Sequence, residues 1–224
     1  MAINETVYKS LTAELQLKQV TLVAVSKIKP ASDIQALYDL GQRDFGENYV
    51  QEIVEKQALL PADIHWHFIG HLQSNKVKYI APFVHLIHGV DSEKLLREIN
   101  KQGKKNNRVI HCLLQVHIAQ EETKFGLDAA ELDVLLASIS ANELEWSNIH
   151  VSGLMGMASF SDDTEKVRAE FHQLHELFVK HQQLVTPSLQ LTTLSMGMSG
   201  DYQMAIEEGS TMVRIGSLLF GNRI

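Results

Sequence analysis

The side chain best placed to form a covalent bond with a carbonyl is Lys27, which ends the apolar run Thr21-Leu22-Val23-Ala24-Val25-Ser26-Lys27. Such a run, without polar alternation, suits a strand of a parallel sheet buried on both faces. Side chains alternate along a strand, so Lys27 shares the face of Val23 and Val25. An ammonium on an apolar face loses hydration, which lowers its pKa and frees the amine for attack. A strand-end lysine whose ammonium reaches back to water fits the same run. Two stretches near the C-terminus carry a second chemistry. Ser199-Gly200 precedes a helix start, where unpaired N–H groups favour an anion. In Arg214-Ile215-Gly216-Ser217 a guanidinium, a hydroxyl and a glycine that admits close approach stand together. Either stretch alone is explained by a helix cap or a surface ion pair; the two together fit a phosphate.

The elements that must position these groups alternate. An amphipathic helix with Val7, Leu11 and Leu15 on one face precedes the first strand. Ser32-Asp33 reads as the cap of the helix after Lys27, and Gly41 closes that helix. Strands are expected at 43–48, 65–70, 84–90, 109–118, 149–157, 191–196 and 212–220, with helices between them. Asp128 and Glu131 form a capping box, and Val167, Phe171, Leu174 and Phe178 mark one face of a long helix. About eight strand–helix repeats predict a single-domain (β/α)8 TIM barrel over residues 1–224, with no helix after the last strand. A doubly wound open sheet satisfies the same periodicity. In a barrel the loops after the strands build the site, and phosphate sites recur after strands seven and eight. Strands one and eight are then neighbours, so a phosphorylated aldehyde, pyridoxal 5′-phosphate (PLP), could reach both motifs.

Composition excludes several classes. A formal net charge of -7 and the absence of a basic run beyond Lys104-Lys105 argue against nucleic acid as a partner. Cys112 is the only cysteine, so neither an internal disulfide nor a cysteine metal cluster can form. No signal pattern or membrane-length apolar run is present, which predicts a cytoplasmic protein without a membrane partner.

Linked motifs carry a resemblance. Ala24-Val25-Ser26-Lys27-Ile28-Lys29-Pro30, Phe45-Gly46-Glu47-Asn48-Tyr49 and the stretch from Trp66 to Lys76 resemble the pyridoxal phosphate homeostasis protein family, also called YggS and PROSC. So do Glu122-Thr123-Lys124-Phe125-Gly126, Gly153-Leu154-Met155-Gly156-Met157, Leu194-Ser195-Met196-Gly197-Met198-Ser199 and Val213-Arg214-Ile215-Gly216-Ser217. The resemblance implies a barrel like the N-terminal domain of alanine racemase, the PLP fold type III, with the cofactor held as a Schiff base on Lys27. It implies phosphate contacts from Ser199, Arg214, Gly216 and Ser217, Met198 beside them, and Asn48 and His67 lining the pocket. Ile28 and Ser217 stand where threonine is common in the family; Ser217 keeps the hydroxyl.

Other groups fit these chemistries less well. His65-x-His67 resembles the ligand pair of barrel metallohydrolases, but the last strand ends in Arg214 rather than a carboxylate, so no metal is expected. Met155, Met157, Met196 and Met198 suit core or pocket filling better than a soft-metal site. Lys29 and Lys124 could accept an aldehyde transiently, although surface lysines are the default. The chain ends soon after the last strand, so the β-rich second domain of racemases is not expected. A site open to water suits exchange of PLP with apo PLP-dependent enzymes better than protected chemistry, and the expected state is a monomeric, non-catalytic carrier. The alternative is a weak PLP-dependent amino-acid racemase or lyase.

Overall fold

The computed structural model describes residues 3–119 and 125–221. Helix α1 (Glu5–Leu17) leads into β1 (Thr21–Val25), α2 (Ala31–Asp39), β2 (Asp44–Glu47), α3 (Val50–Leu59) and β3 (His65–Phe68). A 3-10 turn at Ser74–Lys76 and α4 (Val77–Ile80) lead to β4 (Leu86–Val90), α5 (Glu93–Lys105) and β5 (Ile110–Gln115). Then come α6 (Ala129–Ala141), β6 (Ile149–Met155), α7 (Thr164–His181), β7 (Val185–Thr186) and β8 (Leu189–Met198). Helix α8 (Tyr202–Glu207), β9 (Met212–Ile215) and α9 (Ser217–Phe220) complete the order.

Eight parallel strands run β6-β5-β4-β3-β2-β1-β9-β8, and β6 also pairs with β8, which closes the barrel. Closure, which periodicity left open, rules out the doubly wound sheet. Strand β7 is a two-residue antiparallel addition to β8 and is too short to give a periodic signal. The seam between β6 and β8 depends on Gly153, where a Cβ would collide with the carbonyl of Thr193 on the paired strand.

Alternation sets two layers. Leu22, Ala24, Phe45, Trp66, Phe68, Ile87, Val213 and Ile215 face outward and pack with the helices in one continuous core. The barrel interior holds a smaller apolar group, Val23, Leu86, Leu113, Met155 and Met212, and is otherwise polar. The predicted face of α7 is buried, and Asp128 and Glu131 form the capping box of α6.

Three expectations are corrected. Helix α2 starts at Ala31, with Pro30 as its extended N-cap and no side-chain cap; the fixed φ of proline starts the helix ahead of Ser32-Asp33. Strand β9 ends at Ile215, and Ser217–Phe220 is helical. Gly216 leaves the extended conformation there, and its carbonyl accepts from the N–H groups of Leu219 and Phe220. A short helix therefore does follow the last strand.

Candidate functional site

The C-terminal ends of the strands open into a cavity of about 420 Å3, within the range of small-molecule sites. Of the eight residues singled out in the sequence, seven line it: Lys27, Asn48, Met198, Ser199, Arg214, Gly216 and Ser217. Val25, Lys29, Ile69, Met157, Phe160, Gly200 and Gly221 complete the lining. His67 is not among the lining residues; it is buried in the barrel interior below. Lys124 lies outside the described residues. A second hollow, of about 390 Å3, lies between α5 and α6 on the outer wall and has no cation in its lining.

Lys27 stands in a tight turn just beyond β1, closed by the Lys29 N–H donating to the Ser26 carbonyl at 3.0 Å. Its neighbours on both sides are anchored. Ser26 donates through Oγ to Glu47 Oε1 at 2.6 Å, and its carbonyl accepts from Lys56 Nζ at 3.0 Å. Ile28 is held at φ +58°, a conformation costly for a β-branched residue, and its N–H donates to Glu52 Oε2 at 2.8 Å. Lys56 joins these anchors, donating also to Glu47 Oε1 at 2.7 Å and Glu52 Oε2 at 2.8 Å, so all three ammonium protons are used. Burial pushes the Glu47 carboxyl up to about 7, with Lys56 opposing. Glu47 was legible only as a polar strand end; Lys56 and Glu52, one helical turn apart on α3, were not legible at all. Lys29 shares the cavity, but its Nζ donates to the Phe220 carbonyl at 2.8 Å.

Beside Lys27, since β9 pairs with β1, the loops after β8 and β9 meet: the Gly216 N–H donates to Ser199 Oγ at 3.2 Å. Ser199, Gly200, Gly216 and Ser217 make the wall there, and Arg214 makes the floor. The guanidinium is held by Ser195, donating to its carbonyl at 2.9 Å and to its Oγ at 2.6 Å, and by the Gly156 carbonyl at 3.1 Å. No carboxylate contacts it in these bonds, so burial dominates and lowers its pKa to about 10. A guanidinium still charged at neutral pH, with two of its five N–H groups left over, suits an anionic ligand. Asn48 adds an orphaned polar atom, since its buried Oδ1 has no hydrogen-bond partner. An unmet buried acceptor in a cavity wall is what a ligand donor would satisfy.

Below the floor, Ser195 Oγ lies 3.3 Å from His88 Nδ1, His88 Nε2 lies 2.9 Å from His67 Nδ1, and His67 Nε2 lies 3.0 Å from Asp44 Oδ1. Burial, above all, and the nearby Arg214 charge hold His88 well below the usual imidazole range. A neutral His88 lets donors run one way along the chain, from Arg214 to the Asp44 carboxylate.

The family profile described as "Alanine racemase, N-terminal domain" matches residues 8–223. Over 203 residues, 90% of this chain and 86% of the relative, the sequence is 44% identical to the pyridoxal phosphate homeostasis protein of Aquifex aeolicus. It is 40% identical over 210 residues to that of Escherichia coli K12, covering 92% and 87% of the two chains. The chain belongs to the pyridoxal phosphate homeostasis protein family. PipY of Synechococcus elongatus, solved with PLP bound, superposes with a TM-score of 0.85 at 37% identity, covering 96% of this chain and 99% of that one. Alanine racemase from Streptomyces coelicolor shares the fold, with a TM-score of 0.80 at 15% identity, and only 60% of that chain is covered.

Proposed function

We propose that this member of the family binds PLP, with its aldehyde carbon joined to Lys27 and its phosphate against the loops after β8 and β9. The reading is supported by one cavity that holds Lys27, between two anchored neighbours, together with Ser199, Gly200, Arg214, Gly216 and Ser217. Joining is a condensation: the Lys27 amine adds to the aldehyde, water leaves, and a C=N Schiff base remains. When bound, the pyridine ring supplies an electron sink, and the protein decides which bond is broken.

The function we infer is storage and delivery of the cofactor without turnover. One observation carries it. Among the described residues lining the cavity, no carboxylate, imidazole, phenol or thiol accompanies Lys27, Lys29 and Arg214. Lys29 Nζ donates to the Phe220 carbonyl, and Arg214, held by Ser195 and Gly156, keeps its proton at neutral pH. Among the described lining residues, a substrate proton would therefore find no carboxylate, imidazole, phenol or thiol to act as a second acid or base beside Lys27. Apo PLP-dependent enzymes are the recipients in this reading, and the carrier acts as a cytoplasmic monomer. The racemase-like fold favours one competing reading, a weak amino-acid racemase or lyase.

One experiment separates the two. Incubation with an apo PLP-dependent enzyme should restore that enzyme's activity, and Lys27→Ala should alter the transfer. Amino acids in deuterated solvent should show negligible α-hydrogen exchange. Rapid α-deuteration that follows the protein through purification and vanishes in Lys27→Ala would establish an enzyme instead.

A further inference from the structure

The N-terminal mouth of the barrel, at the opposite end from the cavity, holds an unexplained concentration of metal-binding groups. Of the 11 histidines, six lie inside the barrel or on this rim: His65, His67, His85, His88, His111 and His150. Asp44, the first residue of β2, stands among them, its Oδ1 3.0 Å from His67 Nε2 and 3.2 Å from His65 Nδ1. The ring of His85 stacks on His65 at 4.4 Å between centroids and lies 5.4 Å from His67. One ligand atom from each of Asp44, His67 and His85 lies within 4.8 Å of the others. The three meet because β2, β3 and β4 are adjacent: Asp44 opens β2, His85 immediately precedes β4, and His67, the third residue of β3, lies between them one layer deeper.

A second feature separates this group from a chance meeting of surface histidines. A metal-bound imidazole needs its other ring nitrogen fixed by a partner. His67 has one: its Nδ1 is 2.9 Å from Nε2 of His88, which is itself fully buried and backed by Ser195. The inner ligand is thus oriented before any ion arrives. His85 is exposed and Asp44 half-buried, so these two can turn to draw their donor atoms in from 4.8 Å.

We propose that the N-terminal mouth of the barrel binds one divalent first-row transition metal, Zn2+ or a close relative, through Asp44, His67 and His85. Two imidazoles and a carboxylate suit such borderline ions, and Zn–N and Zn–O bonds of about 2.0–2.2 Å leave a fourth position for water or His65. Through His67, the ion would govern which way donors run between His67, His88 and Ser195, with Arg214 donating to Ser195 in either case. With Nε2 on the metal, Nδ1–H must donate to His88, the reverse of the direction set by the Asp44 contact. The site does not depend on the PLP reading.

The test uses untagged full-length protein titrated with Co2+, read by its visible ligand-field absorption, followed by displacement with Zn2+. One ion per chain should bind. His85→Ala and Asp44→Asn should each weaken binding by about tenfold or more. His172→Ala, on the exposed face of α7, should leave it unchanged. His67 is left intact because its burial would make loss of binding inseparable from loss of folding. No saturable Co2+ band and no retained Zn2+ would overturn the proposal, as would either variant binding like the parent.

Discussion

Replacing Lys56 with methionine should destabilise the protein strongly, and by an amount that grows with pH. The Lys56 side chain is 10% exposed and that of Glu47 is 0%. Glu47 Oε2 already has no partner, so removing the ammonium leaves a buried carboxylate held only by the Ser26 hydroxyl. Breaking one side of such a buried pair costs about 3–5 kcal/mol. Protonation offers Glu47 an escape. With its folded pKa already at about 7, Glu47 is partly protonated in the parent at neutral pH, so this escape adds less than about 1 kcal/mol at pH 7 and about 1.4 kcal/mol more for each pH unit above it. The smaller cost applies where Glu47 can protonate and the larger one well above pH 7, where about 3–5 kcal/mol corresponds, for a chain of this size, to a fall in Tm of roughly 6–20 °C. The pH dependence has a definite sign. In the parent, the folded pKa of Glu47 is raised to about 7, so its contribution is most favourable below pH 4.5 and is lost as pH rises to about 7. Without Lys56 the loss should continue above pH 7. Urea unfolding at pH 6 and pH 8 reads this directly, and Lys56→Met/Glu47→Gln should recover much of the loss. A Lys56→Met protein within about 1 kcal/mol of the parent at both pH values would refute the reasoning.

Three further outcomes follow from the same contacts. Glu47→Gln alone should flatten the decline of stability between pH 4.5 and about 7, measured by the same unfolding series. Ser199→Ala/Ser217→Ala should weaken PLP binding more than binding of unphosphorylated pyridoxal, by about 1.5–3 kcal/mol per hydrogen bond lost to the phosphate; equal losses in equilibrium binding would place the phosphate elsewhere. Gly153→Ala should cost on the order of 3 kcal/mol or prevent folding, because its methyl group meets the Thr193 carbonyl across the seam that closes the barrel.

The sequence displayed the parts of the site that sit on strand ends. Lys27 follows Val23 and Val25 on the interior face, so alternation alone aimed it at the cavity that Val25 also lines. Ser199 and Ser217 are flanked by glycines whose spacing marks tight loops, and those loops do meet. The hidden parts are contacts between distant segments. Glu52 and Lys56 look like an ordinary exposed pair on a helix, and only the packing of α3 on the strand layer carries Lys56 to Glu47 and Ser26. His67 was expected at the pocket because the family resemblance of the stretch from Trp66 to Lys76 implied it. It lies one layer lower, since His65 and His67 both turn toward Asp44 at the other mouth. His85 precedes β4 with no local signal that it would join them. Strand closure was equally invisible, because the pairing of β6 with β8 is a register fact rather than a periodicity.

Lys27 is the proposed point of attachment, and reduction of the protein as isolated tests that most directly. The protein should be yellow, and borohydride should convert the C=N bond to a stable phosphopyridoxyl adduct that peptide mass mapping places on Lys27. A colourless protein retaining no phosphopyridoxal, or an adduct found mainly on Lys29 or another lysine, would contradict it.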